Sequence, residues 1–356
     1  GFHGLQRESI QSAQAGDIIV FSGISDLLLS DTICDLNNPE PLPPLNVDEP
    51  TISMTFQVNK SPFSGTEGKF VTSRQISARL DQELKRNVAL RVEPTDDPEK
   101  IIVSGRGELH LGVLIETMRR EGYELAVSRP AVIYKNIDGK RMEPWERLTV
   151  DFDEDYQGAV MSRIAERKGK LETMTPDSRG RVRLEYSIPA RGLIGFRTEY
   201  LTATAGTGLI YHAFEQYEPC IDADIGRRSN GVLVSMAAGK ALAYSLFTLQ
   251  ERGSLFIGHG ADVYEGMIIG IHSRQNDLTV NPTKAKQLTN IRAAGTDENL
   301  LLTPPITLSL EQALEFIDDD ELVEITPKSI RLRKMYLKES DRKRNARLLS
   351  AARATG

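Results

Sequence analysis

Only two cysteines, Cys34 and Cys220, occur in 356 residues, and they lie far apart with no metal-ligand spacing around either. That argues against a disulfide framework or a structural zinc site, and ordinary thiols in a reducing compartment are expected. Apolar runs are short: none approaches the ~20 residues a membrane helix needs. No basic-then-apolar leader opens the chain. The expectation is a soluble, cytoplasmic, monomeric protein without a membrane partner. The five histidines, His3, His110, His212, His259 and His272, form no ligand pair at helical or strand spacing.

Phosphate cradles are missing as well. A nucleotide loop needs G-x-x-x-x-G-K-[ST], so that backbone N–H groups hold phosphate and a hydroxyl reaches Mg²⁺. Gly239-Lys240 fails at both ends, with Val234 where the first glycine belongs and Ala241 where the hydroxyl belongs. Gly105-Arg-Gly107 and Gly206-Thr-Gly208 lack a third glycine, and Asp177-Ser-Arg-Gly180 reads as a hairpin turn. His110 beside Glu108 is read as structural, in the first turn of a helix. The acidic run Asp318–Glu321 is read as the solvated end of a helix. No catalytic constellation, cofactor site or metal site emerges.

Charge is distributed unevenly. The net charge of -6 argues against nonspecific coating of nucleic acid, DNA included. Yet between Lys328 and Arg353 ten cations face only Glu339 and Asp341. A basic end on an acidic body fits either a local anionic partner or a solvated tail.

Periodicity divides the chain. It opens Gly1-Phe2-His3-Gly4, and residues 16–21 alternate like a strand of an all-β module. That is too little to close a barrel, so the chain is expected to begin inside a domain. Residues 1–38 are assigned to the end of a β-barrel and 39–48, with Pro39-Glu-Pro-Leu-Pro-Pro44, to a stiff linker. Over 49–136 the order is strand, helix, two strands, helix, strand; over 137–224 it recurs, with helices expected at 156–167 and 193–204. This order is that of the ferredoxin-like βαββαβ sandwich. Residues 225–338 read as a mixed α/β domain, with a helix at 240–250, a strand at 263–271 and a capping box at Ser309-Leu-Glu-Gln312. Residues 339–356 read as a flexible basic tail. The fold class is α+β: two tandem ferredoxin-like domains and a C-terminal domain, with a residual piece of barrel in front.

Candidate contacts lie on loops and one strand. Lys284, Lys286, Asn290 and Arg292 sit with Thr283, Gln287 and Thr289 in a polar stretch too long for packing filler. Such a mixture of cations and neutral donors binds phosphate. Aromatics for base stacking are absent from that stretch. Lys328, Arg331, Arg333 and Lys334 form a second set, with Arg331 and Arg333 on one strand face. RNA binding and a solvated surface both remain open at this point. So does docking by Arg191 and Arg197 in Ile188-Pro-Ala-Arg-Gly-Leu-Ile-Gly-Phe-Arg197, a segment without nucleophile, ligand or base.

Several strings resemble a known family. Val103-Ser-Gly-Arg-Gly-Glu-Leu-His-Leu111, Met118-Arg-Arg-Glu-Gly-Tyr-Glu124 and Ser128-Arg-Pro130 are similar to the third domain of translational GTPases of the elongation factor G type. Residues 188–208 occupy the place of the second helix in the fifth domain. Arg191-Gly-Leu-Ile-Gly-Phe-Arg197 resembles the BipA/TypA branch, as do Glu49-Pro-Thr-Ile-Ser-Met54, Asn230-Gly-Val-Leu-Val234, Val263-Tyr-Glu-Gly-Met267 and Asn276-Asp-Leu278. The resemblance covers nearly the whole chain. It implies the C-terminal part of a ribosome-associated GTPase acting in large-subunit assembly and in stress or cold adaptation. In that family the third and fifth domains follow directly, and a C-terminal domain contacts ribosomal RNA and the acceptor end of transfer RNA. By resemblance the family's basic loop is 276–300. GTP and Mg²⁺ belong to the full-length protein, whose GTPase domain is missing from this sequence. A LepA-type factor is the nearest alternative. A protein-interaction module using the basic tail is another.

Overall fold

A computed structural model describes residues 2–3, 6–24, 27, 31–43, 49–178, 180–223, 225–226, 228–285 and 300–355. The strand Ile52–Gln57 alternates as its sequence requires, with Ile52, Met54 and Phe56 inward. Thr72 and Gln75 form a capping box that opens the helix Ser73–Leu84, and Ile76 and Leu80 bury its inner face. Strands Arg91–Pro94 and Lys100–Gly105 follow, then the helix Glu108–Glu121 on Leu111, Leu114, Ile115 and Met118, then the strand Leu125–Ser128. The antiparallel order across this first unit is Leu125–Ser128, Ile52–Gln57, Lys100–Gly105, Arg91–Pro94.

The second unit repeats that arrangement. Its long strand Lys140–Asp153 lies between Leu209–Pro219 and Arg181–Pro189, with Lys170–Pro176 at the edge. Helices Gln157–Glu166 and Phe196–Ala203 cover one face over Leu148, Val150, Phe152, Val160 and Ile164. The helix expected over 193–204 is broken. Ala190–Leu193 makes a single turn, and Gly195 takes a left-handed φ of 72° before the next helix starts. The break has a partner: Arg167 Nη1 donates to the carbonyls of Gly192 at 2.6 Å and Ile194 at 2.9 Å. Those carbonyls are thereby satisfied outside a helix.

Beyond it, Val232–Ser235 pairs antiparallel with Met267–His272 and parallel with Leu278–Val280. The expected strand over 263–271 is interrupted at Gly266, whose φ of 88° and contact with Leu337 admit no side chain: a Cβ would lie 2.6 Å from Leu337 Cα. The helix expected over 240–250 is confined to Ala243–Leu249, because Gly239–Lys240 pairs with Asp262–Val263 instead. The capping box at Ser309 and Gln312 opens the helix Leu310–Phe316 as expected. Residues 339–356, expected as a flexible tail, contain the helix Glu339–Thr355. Near the N-terminus only Phe2–His3 and Gln6–Arg7 pair as strands among the described residues, and 16–21 are not strand.

The first and C-terminal units are fused. Glu321–Ile325 pairs antiparallel with Leu125–Ser128, with Val323 opposite Val127, so one 11-stranded sheet runs through both. Their apolar faces merge too. Val323, Ile325, Leu332, Leu310, Ala313 and Leu314 share a core with Phe56, Leu111, Ile115 and Met118.

Candidate nucleic-acid interface

A hairpin sets the fate of the C-terminal cations. Strands Glu321–Ile325 and Ile330–Lys334 pair so that Glu324 faces Arg331 and Glu321 faces Lys334. Opposite charges directly across a ladder attract, and here they are buried. Arg331 reaches Glu324 at 3.0 Å and Glu67 at 2.5 Å, and lies 5.2 Å over the Phe63 ring. Burial opposes its charge, but Glu324 and Glu67 raise its pKa on balance. Lys334, 3% exposed, contacts Asp277 at 2.6 Å and Asp320 and Glu321 each at 2.9 Å. Arg333 is also 3% exposed, and burial lowers its pKa. Arg331 and Arg333 do share a face, yet it points inward, towards Phe63 and Tyr264. Arg333 and Lys334 are buried, and the half-buried Arg331 is held between Glu324 and Glu67. The expectation of a phosphate-binding strand is corrected accordingly.

The acidic run changes meaning with it. Glu321 is fully buried and accepts two bonds of 2.9 Å from Arg228, and Asp318 pairs with Arg129 at 3.4 Å. Glu321 and Asp318 thus neutralise cations packed around the strand start, whereas Asp319 and Asp320, just past the helix Leu310–Phe316, are exposed. The signal in sequence was the spacing of Glu321 and Glu324 against Arg331 and Lys334 around a four-residue turn.

Lys284 and Lys328 are exposed. Lys286, Asn290 and Arg292 lie outside the described residues. On the terminal helix Lys343 pairs with Glu339 and Arg344 with Asp341, while Lys338 and Arg347 stay exposed.

Arg191 and Arg197 diverge. Arg191 Nε donates to the buried Glu143 at 2.6 Å, and its Nη atoms reach the carbonyls of Ala223 and Ile221. It braces the segment that leaves the second unit. Arg197 is exposed at a three-way joint, lining a cavity of about 180 Å³ with Glu108, Leu109, Glu311 and Glu315. Glu108 accepts from Gly195 N at 3.4 Å. Burial and the neighbouring Glu315 push its pKa up to about 7. His110 bonds Asn87 at 2.8 Å, a structural contact.

Gly239-Lys240 does not form a phosphate loop. Gly239 and Lys240 lie in a two-stranded ladder, and Lys240 pairs with Asp262 at 3.1 Å, leaving no N–H cradle at a helix start. Among the described residues no cluster of three ligands could hold a metal, and no helix is long and apolar enough to cross a membrane.

Residues 230–339 match the family model described as the TypA/BipA C-terminal domain, and residues 140–226 match the elongation factor G C-terminus. The chain is 63% identical over 341 residues to the large ribosomal subunit assembly factor BipA of Salmonella typhimurium, covering 96% of this chain and 56% of that protein. It is 62% identical over 344 residues to the protein of that name from Escherichia coli, covering 97% and 57%. For the Haemophilus influenzae protein the identity is 61% over 344 residues, covering 97% and 56%. The chain thus spans little more than half the length of these relatives. With both domain models matched in order and this identity sustained along its length, the chain belongs to the BipA/TypA family.

Proposed function

We propose that this chain acts in assembly of the large ribosomal subunit, as a docking arm that contacts ribosomal RNA and the acceptor end of transfer RNA. The carrying observation is its identity of more than 60% to proteins named as large-subunit assembly factors. The exposed Lys284, at the edge of the polar stretch that holds Lys286, Asn290 and Arg292, supports the same reading. So does the exposed Lys328. On this reading the two βαββαβ units are ferredoxin-like modules equivalent to the third and fifth domains of elongation factor G. Residues 1–38 are the end of a β-barrel, and the setting is stress or cold adaptation. GTP hydrolysis with Mg²⁺ belongs to the full-length protein, and no step of it is assigned to these residues.

The test is co-sedimentation of the chain with purified large subunits across a salt series. Replacing Lys284, Lys286 and Arg292 with alanine is expected to weaken association and reduce the salt slope by roughly one for each lost phosphate contact. An unchanged slope overturns the assignment of that stretch. No association at any salt overturns the function.

A further inference from the structure

The cavities of this molecule differ in how their cations are partnered. Beside Arg167 and Arg228 the lining includes Glu199 and Glu315, and Arg167 pairs with Glu199 at 3.0 Å. Beside Lys60, Lys100 and the buried Arg333 lie Glu99 and Asp97, which ion-pair with Lys60 and Lys100 respectively. In the cavity holding Lys328, Arg119 and Arg331 are both paired. A groove of about 380 Å³ between the helix Ala243–Leu249 and the strand Leu278–Val280 is different. Its lining has no carboxylate and two cations, Arg252 and Lys284. Among the described residues neither has an ion-pair partner.

The groove is built rather than incidental. Leu249 and Val280 form a buried apolar floor. Leu242 N donates to the Pro282 carbonyl at 3.0 Å, tying the helix start to the turn before Lys284. Asn281 Oδ1 accepts from Thr283 N at 2.9 Å and so fixes that turn. At the other end the Arg252 carbonyl accepts from Ser273 N and Oγ, each at 2.9 Å. Tyr244, 40% exposed, also lines the groove. An exposed ring, an apolar floor and two cations without an ion-pair partner among the described residues are what a base and its flanking phosphates require together. The stretch around Lys284 contains no aromatic, so only tertiary packing supplies one.

We infer that this groove binds an unpaired nucleotide of single-stranded RNA, with the base stacked on Tyr244 and its two flanking phosphates held by Lys284 at one end of the groove and Arg252 at the other. The site rests on the RNA-contacting role proposed above and gives it a substrate class. A base within a duplex is stacked on its neighbours and cannot cover the ring, so the groove discriminates against double strands.

The test uses the full 356-residue chain and a fluorescein-labelled single-stranded RNA hexamer, read by anisotropy, beside a duplex of the same length. Tyr244→Ala is expected to weaken hexamer binding roughly five- to a hundredfold, the range of base–aromatic stacking. Tyr244→Phe retains binding within about twofold, because the ring persists. Phe247→Ala, on the same helix but outside the groove, is expected to leave it unchanged. Arg252→Ala and Lys284→Ala each lower the salt slope by roughly 0.7, the value per phosphate for single strands. Circular dichroism melting establishes that each variant is folded. Wild-type affinity in a folded Tyr244→Ala variant, or an equal loss on the duplex, overturns the site. If large subunits still sediment with the chain in that case, the assembly role stands and only the groove falls. If the hexamer binds through Tyr244 but large subunits do not sediment, the groove stands and the assembly role falls. A groove that captures an acidic peptide and ignores the hexamer is also against the proposal.

Discussion

Tyr264 donates its hydroxyl to Glu324 at 2.6 Å, and both side chains are fully buried. The same carboxylate accepts from Ser61 at 3.0 Å and from Arg331 at 3.0 Å. Ser61 belongs to the first unit and the other three residues to the C-terminal unit, so one carboxylate joins the two.

Removing it should therefore be costly. Glu324→Ala leaves the hydroxyls of Ser61 and Tyr264 without their acceptor and Arg331 with Glu67 as its one remaining carboxylate, and about 3 kcal/mol of destabilisation is expected. Tyr264→Phe removes one bond to a charged group and is expected to cost about 1.5–3 kcal/mol. Urea unfolding measures both, and a loss below about 1 kcal/mol for Glu324→Ala would contradict the network.

Fusion of the two units predicts joint unfolding. Val323→Asp places an unpaired carboxylate in the shared core opposite Val127. Hydrogen exchange should show protection falling together at Leu125–Ser128 and Glu321–Ile325, while Lys140–Asp153 in its separate core keeps its own. Persistent protection at Leu125–Ser128 would mean that the continuous sheet is not one cooperative unit.

Glu108 predicts a pH dependence. Its folded pKa, up to about 7, lies above the ordinary carboxylate value because of burial, with Glu315 adding to the rise and Gly195 N, His212 and Arg167 opposing it. The folded state thus holds the extra proton, so the contribution is fully present below about pH 4.5 and is lost as pH rises through about 7. At 1.36 kcal/mol per pKa unit the loss is at most about 3 kcal/mol, less because the residue is only half-buried. His212, raised by Glu146 against the effect of burial, adds a loss of the same sign. Comparison with Glu108→Gln removes the part of the His212 effect that comes from Glu146, which both proteins keep. The variant is expected to gain stability relative to the parent between pH 5 and pH 8, as read by urea unfolding at the two pH values. A constant difference would refute the assignment.

Arg191→Ala tests the brace. Glu143 would keep only the Ile221 N–H at 2.8 Å, and a buried carboxylate stripped of its cation costs about 3–5 kcal/mol. The melting temperature should fall, while large-subunit association of the folded variant changes less than twofold. A selective loss of association would instead make Arg191 a contact residue.

Local order was legible in the chain because it rests on near neighbours. The alternation at Ile52, Met54 and Phe56, the apolar stripe of Glu108–Glu121 and the capping box at Ser309 each need only a few adjacent residues. The break at Gly195 was only half legible: a glycine admits its left-handed φ, but Arg167, which satisfies the freed carbonyls of Gly192 and Ile194, lies far upstream. The same limit governed the site. Lys284 was named from its polar surroundings, but the aromatic beside it comes from another element.

By itself, then, the amino-acid sequence determined the order of most elements over 49–219 and the family, both carried by spacing and local chemistry. Tertiary structure decided which charges are free. Arg331, Arg333 and Lys334 looked like a binding strand until the hairpin set Glu324 and Glu321 across from two of them, with Arg333 and Lys334 buried and Arg331 half-buried between Glu324 and Glu67. Net charge and strand alternation do not specify burial, and only burial with a partner turns a cation from a phosphate ligand into part of the core.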